Sequence, residues 1–157
     1  MEIKGFIQED FVNYKKPSML IMFPNCSFKC ERECGERVCQ NSPLAQVPTV
    51  ETSAEKLVEI YQKNSFISAI VCAGLEPFDS FNDLLNLIHK IRLKTNDDIV
   101  IYTGYNEYEI ASQLQMLSLY KNIYIKFGRY VPNQQSHYDE VLGVNLASNN
   151  QYGKKVS

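Results

Sequence analysis

The sequence predicts an α/β fold in which parallel strands alternate with helices, and three observations point to it. Short continuous apolar runs at residues 19–23, 66–73, 99–102 and 123–127 have the length and character of strands buried on both faces. Stretches with apolar residues at helical spacing separate them. Glycine or proline punctuates the runs, so that strand and helix follow one another in the same order several times.

The first strand is Met19-Leu20-Ile21-Met22-Phe23, set between Pro17 and Pro24. A loop with four cysteines follows. Thr52 and Glu55, three positions apart, read as a capping box ahead of Ala54, Leu57, Val58 and Tyr61, which predicts a helix over 53–64. The second strand, 66–73, runs into the turn Gly74-Leu75-Glu76-Pro77. Phe81, Leu84, Leu85, Ile88 and Ile91 carry the next helix, and residues 99–102 the next strand, stopped by Thr103-Gly104. Ile110, Leu114 and Leu117 mark a third helix before the strand 123–127 and Gly128. From Tyr130 the chain is polar and rich in Asn and Gln, with one short apolar stretch at 141–146. No repeat or linker divides the chain, so a single domain, 1–157, is expected.

Strands and helices that alternate this way pair in parallel through right-handed crossovers, which puts every strand's carboxyl end on one edge of the sheet. The unusual segments all follow strands: the cysteine loop, the turn at 74–77, Thr103-Gly104-Tyr105, Gly128-Arg129, and residues 148–151. The topology gathers them into one pocket, as in α/β barrels.

Composition narrows the function. The chain is 45% apolar and 22% charged with a net charge of −2, and its Lys and Arg are scattered, so no basic stripe for nucleic acid is present. The ten tyrosines are equally dispersed and lack the basic groove of a single-strand stacking platform. No apolar run approaches the roughly 18 residues of a membrane span, and the opening MEIKGFIQEDF lacks the layout of a signal peptide. A cytoplasmic protein with neither nucleic acid nor membrane as partner is expected.

Four of the five cysteines, Cys26, Cys30, Cys34 and Cys39, fall within fourteen positions. In a reducing compartment such clustering points to metal rather than disulfides. A zinc site would close all four thiolates in a tetrahedron, although the usual Cys-x2-Cys pair does not occur. An electron-transfer cluster would also use four, whereas an iron-sulfur cluster with three cysteine ligands leaves one iron open to a substrate. Cys72, inside an apolar run, reads as a small buried side chain. His89 and His137 have no partner at ligand spacing. Lys29, Arg32 and Arg37 flank the cysteines, where they would offset a cluster's negative charge or stay solvated.

Cys26-Ser27-Phe28-Lys29-Cys30 resembles the first half of the Cys-x3-Cys-x2-Cys signature of the radical S-adenosylmethionine (SAM) superfamily. Asp10-Phe11-Val12-Asn13, Cys39-Gln40-Asn41, Gly74-Leu75-Glu76-Pro77, Tyr102-Thr103-Gly104-Tyr105, Gly128-Arg129-Tyr130 and Ser148-Asn149-Asn150-Gln151 resemble, in order, segments of anaerobic ribonucleotide reductase activating proteins, which are glycyl-radical-enzyme activases. The resemblance covers nearly the whole chain. It implies an incomplete (partial) TIM-type barrel, open on one side to a partner's loop, and a [4Fe-4S] cluster on which SAM is cleaved to a 5′-deoxyadenosyl radical. The implied partners are anaerobic ribonucleotide reductase or another glycyl radical enzyme, and an electron donor such as flavodoxin or ferredoxin. The rival readings are a radical SAM enzyme for another peptide or small molecule, and a non-catalytic zinc or iron-sulfur electron-transfer module.

The resemblance also assigns residues. The cluster ligands are Cys26, Cys30 and Cys39, with Cys34 as the alternative third. Cys39 is favoured because Asn41 follows it as in the family and Val38 precedes it, where radical SAM enzymes carry an apolar residue that packs on adenine. Cys34 lies between Glu33 and Gly35 and lacks both. Gly74 and Glu76 receive the SAM amino group, with Leu75 where the family has a second glycine. Thr103, which ends a strand on the ligand edge, would either reach the SAM ribose or carboxylate or simply form a turn with Gly104, and Asn149 and Gln151 resemble part of the family's C-terminal Ser-x-Asn-Gln segment.

Overall fold

Side chains alternate between two faces along each central strand, and that alternation decides where the helices pack. The computed structural model describes residues 1–157. In chain order it contains β1 (Glu2–Ile3), β2 (Gly5–Asp10), β3 (Ser18–Phe23), α1 (Lys29–Cys34), α2 (Ser42–Ala45), β4 (Val50–Glu51), α3 (Ala54–Gln62) and β5 (Ala69–Gly74). There follow α4 (Phe81–Arg92), β6 (Asp98–Tyr102), α5 (Ala111–Leu117), β7 (Ile123–Phe127), β8 (His137–Asp139), β9 (Val144–Leu146) and β10 (Tyr152–Lys155).

The main sheet has six strands in the order β10-β7-β6-β5-β3-β2. Its four central strands, β3, β5, β6 and β7, are parallel and lie in chain order. β2 and β10 pair antiparallel at the two edges. Ile21, Cys72, Ile101 and Ile125 meet Leu57 of α3, Leu87 of α4 and Leu117 of α5 in one cluster, so all three crossover helices cover the same face. Each fully buried leucine or isoleucine there stabilises the fold by about 1.5–3 kcal/mol. On the other face, Leu20, Val71 and Val100 pack under Tyr14, Leu142 and Leu146, which come from the terminal segments rather than from a helix.

Several expectations shift. The helix expected over 53–64 is shorter, and its cap is Ser53, whose Oγ accepts the Lys56 N–H at 3.1 Å. Thr52 instead donates its N–H to the Met1 carbonyl, and Glu55 is free to pair with Lys90 at 2.8 Å. The strand expected from Phe66 begins at Ala69, since Phe66 is 62% exposed against Phe11. The sheet is mixed, not wholly parallel: the segment ahead of the first expected strand supplies β2, and the polar C-terminal segment supplies β10. No helix is long and apolar enough to cross a membrane.

Candidate functional site

The carboxyl ends of β3, β5, β6 and β7 open onto one cavity of about 430 Å³. The cysteine loop leaves β3 and turns sharply at Phe28, which caps α1 in the left-handed conformation, φ 52°. That conformation is costly for a bulky residue. Here it lets the Phe28 N–H point back to Cys26 Sγ at 3.2 Å. Cys26, Cys30 and Cys39 are half-buried and line the cavity. Cys34 is exposed, lies outside it, and donates its thiol to the Cys30 carbonyl at 3.0 Å.

Burial pushes the Cys26 thiol up to about 12 and raises that of Cys30, which the neighbouring Cys39 raises further. Such thiols ionise only when a cation compensates, which couples metal binding to proton release. No three Cys, His, Asp or Glu side chains close around a single metal ion. The fit to an iron-sulfur group therefore rests on the donor set: three free thiols from one loop, facing one cavity.

The turn after β5 forms the next wall. Gly74 has φ 96°, and a Cβ there would meet the Phe23 nitrogen at 2.8 Å and Met22 Cα at 2.9 Å, so only glycine fits. Leu75 takes no positive φ and needs no glycine. Its N–H donates to Phe23 O at 3.3 Å, and that of Glu76 to Asn25 O at 2.8 Å, which ties the turn to the start of the cysteine loop. The Asn41 amide donates to the Gly74 carbonyl at 2.7 Å and ties in its far end.

Glu76 is only 5% exposed. Its Oε1 accepts from the Phe78 N–H at 3.1 Å and the Thr103 hydroxyl at 2.9 Å, and its Oε2 from the Gly104 N–H at 2.8 Å. Burial raises its pKa to about 7, against the pull of those donors. A carboxylate has about four acceptor sites, so three donors leave one for a ligand.

Charged and aromatic side chains lock the loop over the sheet. Asp79 accepts the Ser27 N–H at 2.6 Å and the Tyr105 hydroxyl at 2.5 Å. Arg129 makes a two-pronged pair with Glu109, at 2.8 and 2.5 Å, while its Nε faces Glu33 of α1 at 3.3 Å. Lys29 completes this group, 3.5 Å from Glu109 and over the Tyr105 ring. Gln151 is buried: its Oε1 accepts from the N–H groups of Ala147 and Ser148, and its Nε2 donates to Gly128 O.

Of the residues expected at the site, Cys26, Cys30, Cys39, Asn41, Gly74, Glu76, Thr103 and Gln151 line the cavity. Val38 is half-buried and Asn149 exposed, and both lie outside it. Two residues that the sequence reading passed over are Lys126, which lines the cavity, and Asp79, which braces it. The signal for Lys126 was present, since it is the one charge in the apolar run 123–127.

Thiols from one loop, gathered at the carboxyl edge of a mostly parallel α/β sheet, put the chain in the class of proteins with a thiolate-bound cofactor. The family model described as the 4Fe-4S single cluster domain matches residues 18–152, and the chain belongs to that family. It is an iron-sulfur protein. No curated protein and no solved structure matches the chain.

Proposed function

We propose that this iron-sulfur protein is a radical SAM enzyme of the cytoplasm, which reductively cleaves SAM to methionine and a 5′-deoxyadenosyl radical. The observation that carries this reading is the shared cavity: three of the four clustered cysteines face it together with Glu76, and the fourth, Cys34, does not. A three-cysteine set leaves one iron open to a substrate, whereas a closed zinc or electron-transfer site would use all four.

When bound at Cys26, Cys30 and Cys39, the cluster supplies the electron that breaks a carbon-sulfur bond of the sulfonium. The protein's own part is to bind, orient and exclude water. Glu76 offers its remaining acceptor site to the SAM ammonium as a charge-assisted hydrogen bond. Thr103 and Gly104 hold that carboxylate in place. Asn41 fixes the loop against the Gly74 turn. The Phe28 N–H beside Cys26 Sγ stabilises the thiolate form, a hydrogen bond of the kind that tunes cluster potentials.

In this reading the four parallel strands are part of an incomplete TIM-type barrel, because their crossover helices share one face, as in a barrel wall. The partner is anaerobic ribonucleotide reductase or another glycyl radical enzyme, from whose backbone glycine the 5′-deoxyadenosyl radical takes a hydrogen atom, leaving 5′-deoxyadenosine and a glycyl radical. Flavodoxin or ferredoxin is the class of donor that delivers the electron. The test is anaerobic reconstitution: a brown, oxygen-bleached protein with about four irons per chain that forms 5′-deoxyadenosine from SAM and reductant supports the reading. A colourless zinc protein overturns it.

A further inference from the structure

Asp79, in the turn after β5, ties the cysteine loop to the turn after β6, and the chemistry above leaves its charge without a role. Its Oδ2 accepts the Ser27 N–H at 2.6 Å and its Oδ1 the Tyr105 hydroxyl at 2.5 Å. Ser27 directly follows Cys26, and the next amide along the chain, that of Phe28, donates to Cys26 Sγ at 3.2 Å. Successive N–H groups of one turn thus serve the carboxylate and the thiol side by side. Two more bonds stitch the same stretch to the turn after β5, Asn25 Nδ2 to Ser80 Oγ at 3.0 Å and the Glu76 N–H to Asn25 O at 2.8 Å, so Asp79 and Cys26 are held together from both sides. Asp79 is half-buried and takes part in no ion pair. Lys29 lies over the Tyr105 ring but pairs with Glu109 instead. After burial, the Asp79 charge is among the causes that hold the Cys26 thiol up. A fixed negative charge that opposes charge on a sulfur also opposes an electron added to a group bound there.

We propose that Asp79 sets the reduction potential of the iron-sulfur cluster, holding it low through its charge, and that Tyr105 is the positioning residue that fixes the carboxylate. Asp79 is not a ligand; it acts through Cys26 and the turn that follows it. The inference rests on Cys26 as a cluster ligand and asks nothing of SAM.

The test is a redox titration of the anaerobically reconstituted full chain without SAM, followed by visible absorbance and electron paramagnetic resonance. Asp79→Asn keeps the shape: its oxygen accepts the Ser27 N–H and its amide donates to the Tyr105 oxygen, so the charge alone is lost. The equilibrium constant for one-electron reduction is expected to rise about 10-fold, which moves the potential about 59 mV in the positive direction. Asp79→Glu keeps the charge and is expected to restore most of the wild-type potential. Asp79→Ser, a second neutral replacement, serves if Asp79→Asn loads poorly. Tyr105→Phe removes the clasp and keeps the charge, so its potential is expected to stay or to move in the negative direction. A merely structural role would shift Asp79→Asn and Tyr105→Phe alike. That result, or no shift in Asp79→Asn, overturns the proposal and leaves the proposed function intact. The predicted shifts in a chain that does not cleave SAM uphold Asp79 while the proposed function fails. Wild type that assembles no cluster overturns both.

Discussion

Thr103 Oγ1 lies 2.9 Å from Glu76 Oε1 and donates to it, so the residue that follows β6 holds the carboxylate that follows β5. Glu76 accepts at both oxygens from three donors on two different turns. The pair thus joins two strand ends that the chain separates by 27 positions.

Thr103→Val keeps the shape and removes the donor. Stability is expected to fall by about 1–2 kcal/mol, measured by urea unfolding. The hydroxyl lowers the Glu76 pKa, so the variant's carboxyl is expected to titrate above the wild-type value of about 7, observed by carbon NMR.

Gly74→Ala meets backbone at 2.8 Å from a left-handed position. A loss of about 2–4 kcal/mol is expected, whereas Leu75→Gly should cost less than about 1 kcal/mol. Thermal unfolding of the two variants side by side checks the contrast. It also shows which position of the turn requires glycine.

Lys126 falls from the ordinary lysine value of 10.5 to about 8 on folding. Between these values the unfolded chain holds more protons, so stability rises with pH across the window, and below about 8 the penalty is fully present. Lys126→Met is therefore expected to be more stable than wild type by roughly 2–3 kcal/mol at pH 7, with the gap closing toward pH 10.5. Urea titrations at pH 7, 9 and 10.5 measure it; a gap independent of pH would show that Lys126 does not carry the cost.

Arg129 holds the Glu109 carboxyl down at about 2. A lowered carboxyl stabilises the fold above its ordinary value of 4.5 and loses that effect as pH falls toward 2. Because the pair borders an open cavity and is screened, Glu109→Gln is expected to lose about 1 kcal/mol at pH 7 and progressively less below pH 4.5. The same variant removes the ion pair that ties Lys29 of α1 to Glu109, so alkylation of Cys30 in the metal-free protein should quicken while that of exposed Cys34 stays constant.

The central sheet was legible because its strands are short apolar runs buried on both faces: Ile123–Phe127 matches the expected span, and Asp98–Tyr102 starts one residue early. The edge strands were not. Gly5–Asp10 carries Gln8, Glu9 and Asp10, and Tyr152–Lys155 is exposed and charged, because each pairs on one side only and faces solvent. At the site, clustering exposed the cysteines, punctuation exposed the turn at 74–77, and the family resemblance singled out Gly74 and Glu76 within it. Lys126 stood out as the one charge inside an apolar strand, but the sequence did not say which face it takes, and the fold buries it against the cavity. Asp79 and Glu109 were invisible for a different reason: each acts through partners 26 and 20 positions away.

The most direct test of the account is SAM cleavage by the anaerobically reconstituted chain with reductant, comparing wild type, Cys34→Ala and Cys39→Ala. Wild type and Cys34→Ala are predicted to form 5′-deoxyadenosine at similar rates, and Cys39→Ala to form at least about 100-fold less, since it removes a cluster ligand. Cleavage that survives in Cys39→Ala but is lost in Cys34→Ala would contradict the ligand assignment, and no cleavage by wild type would contradict the function.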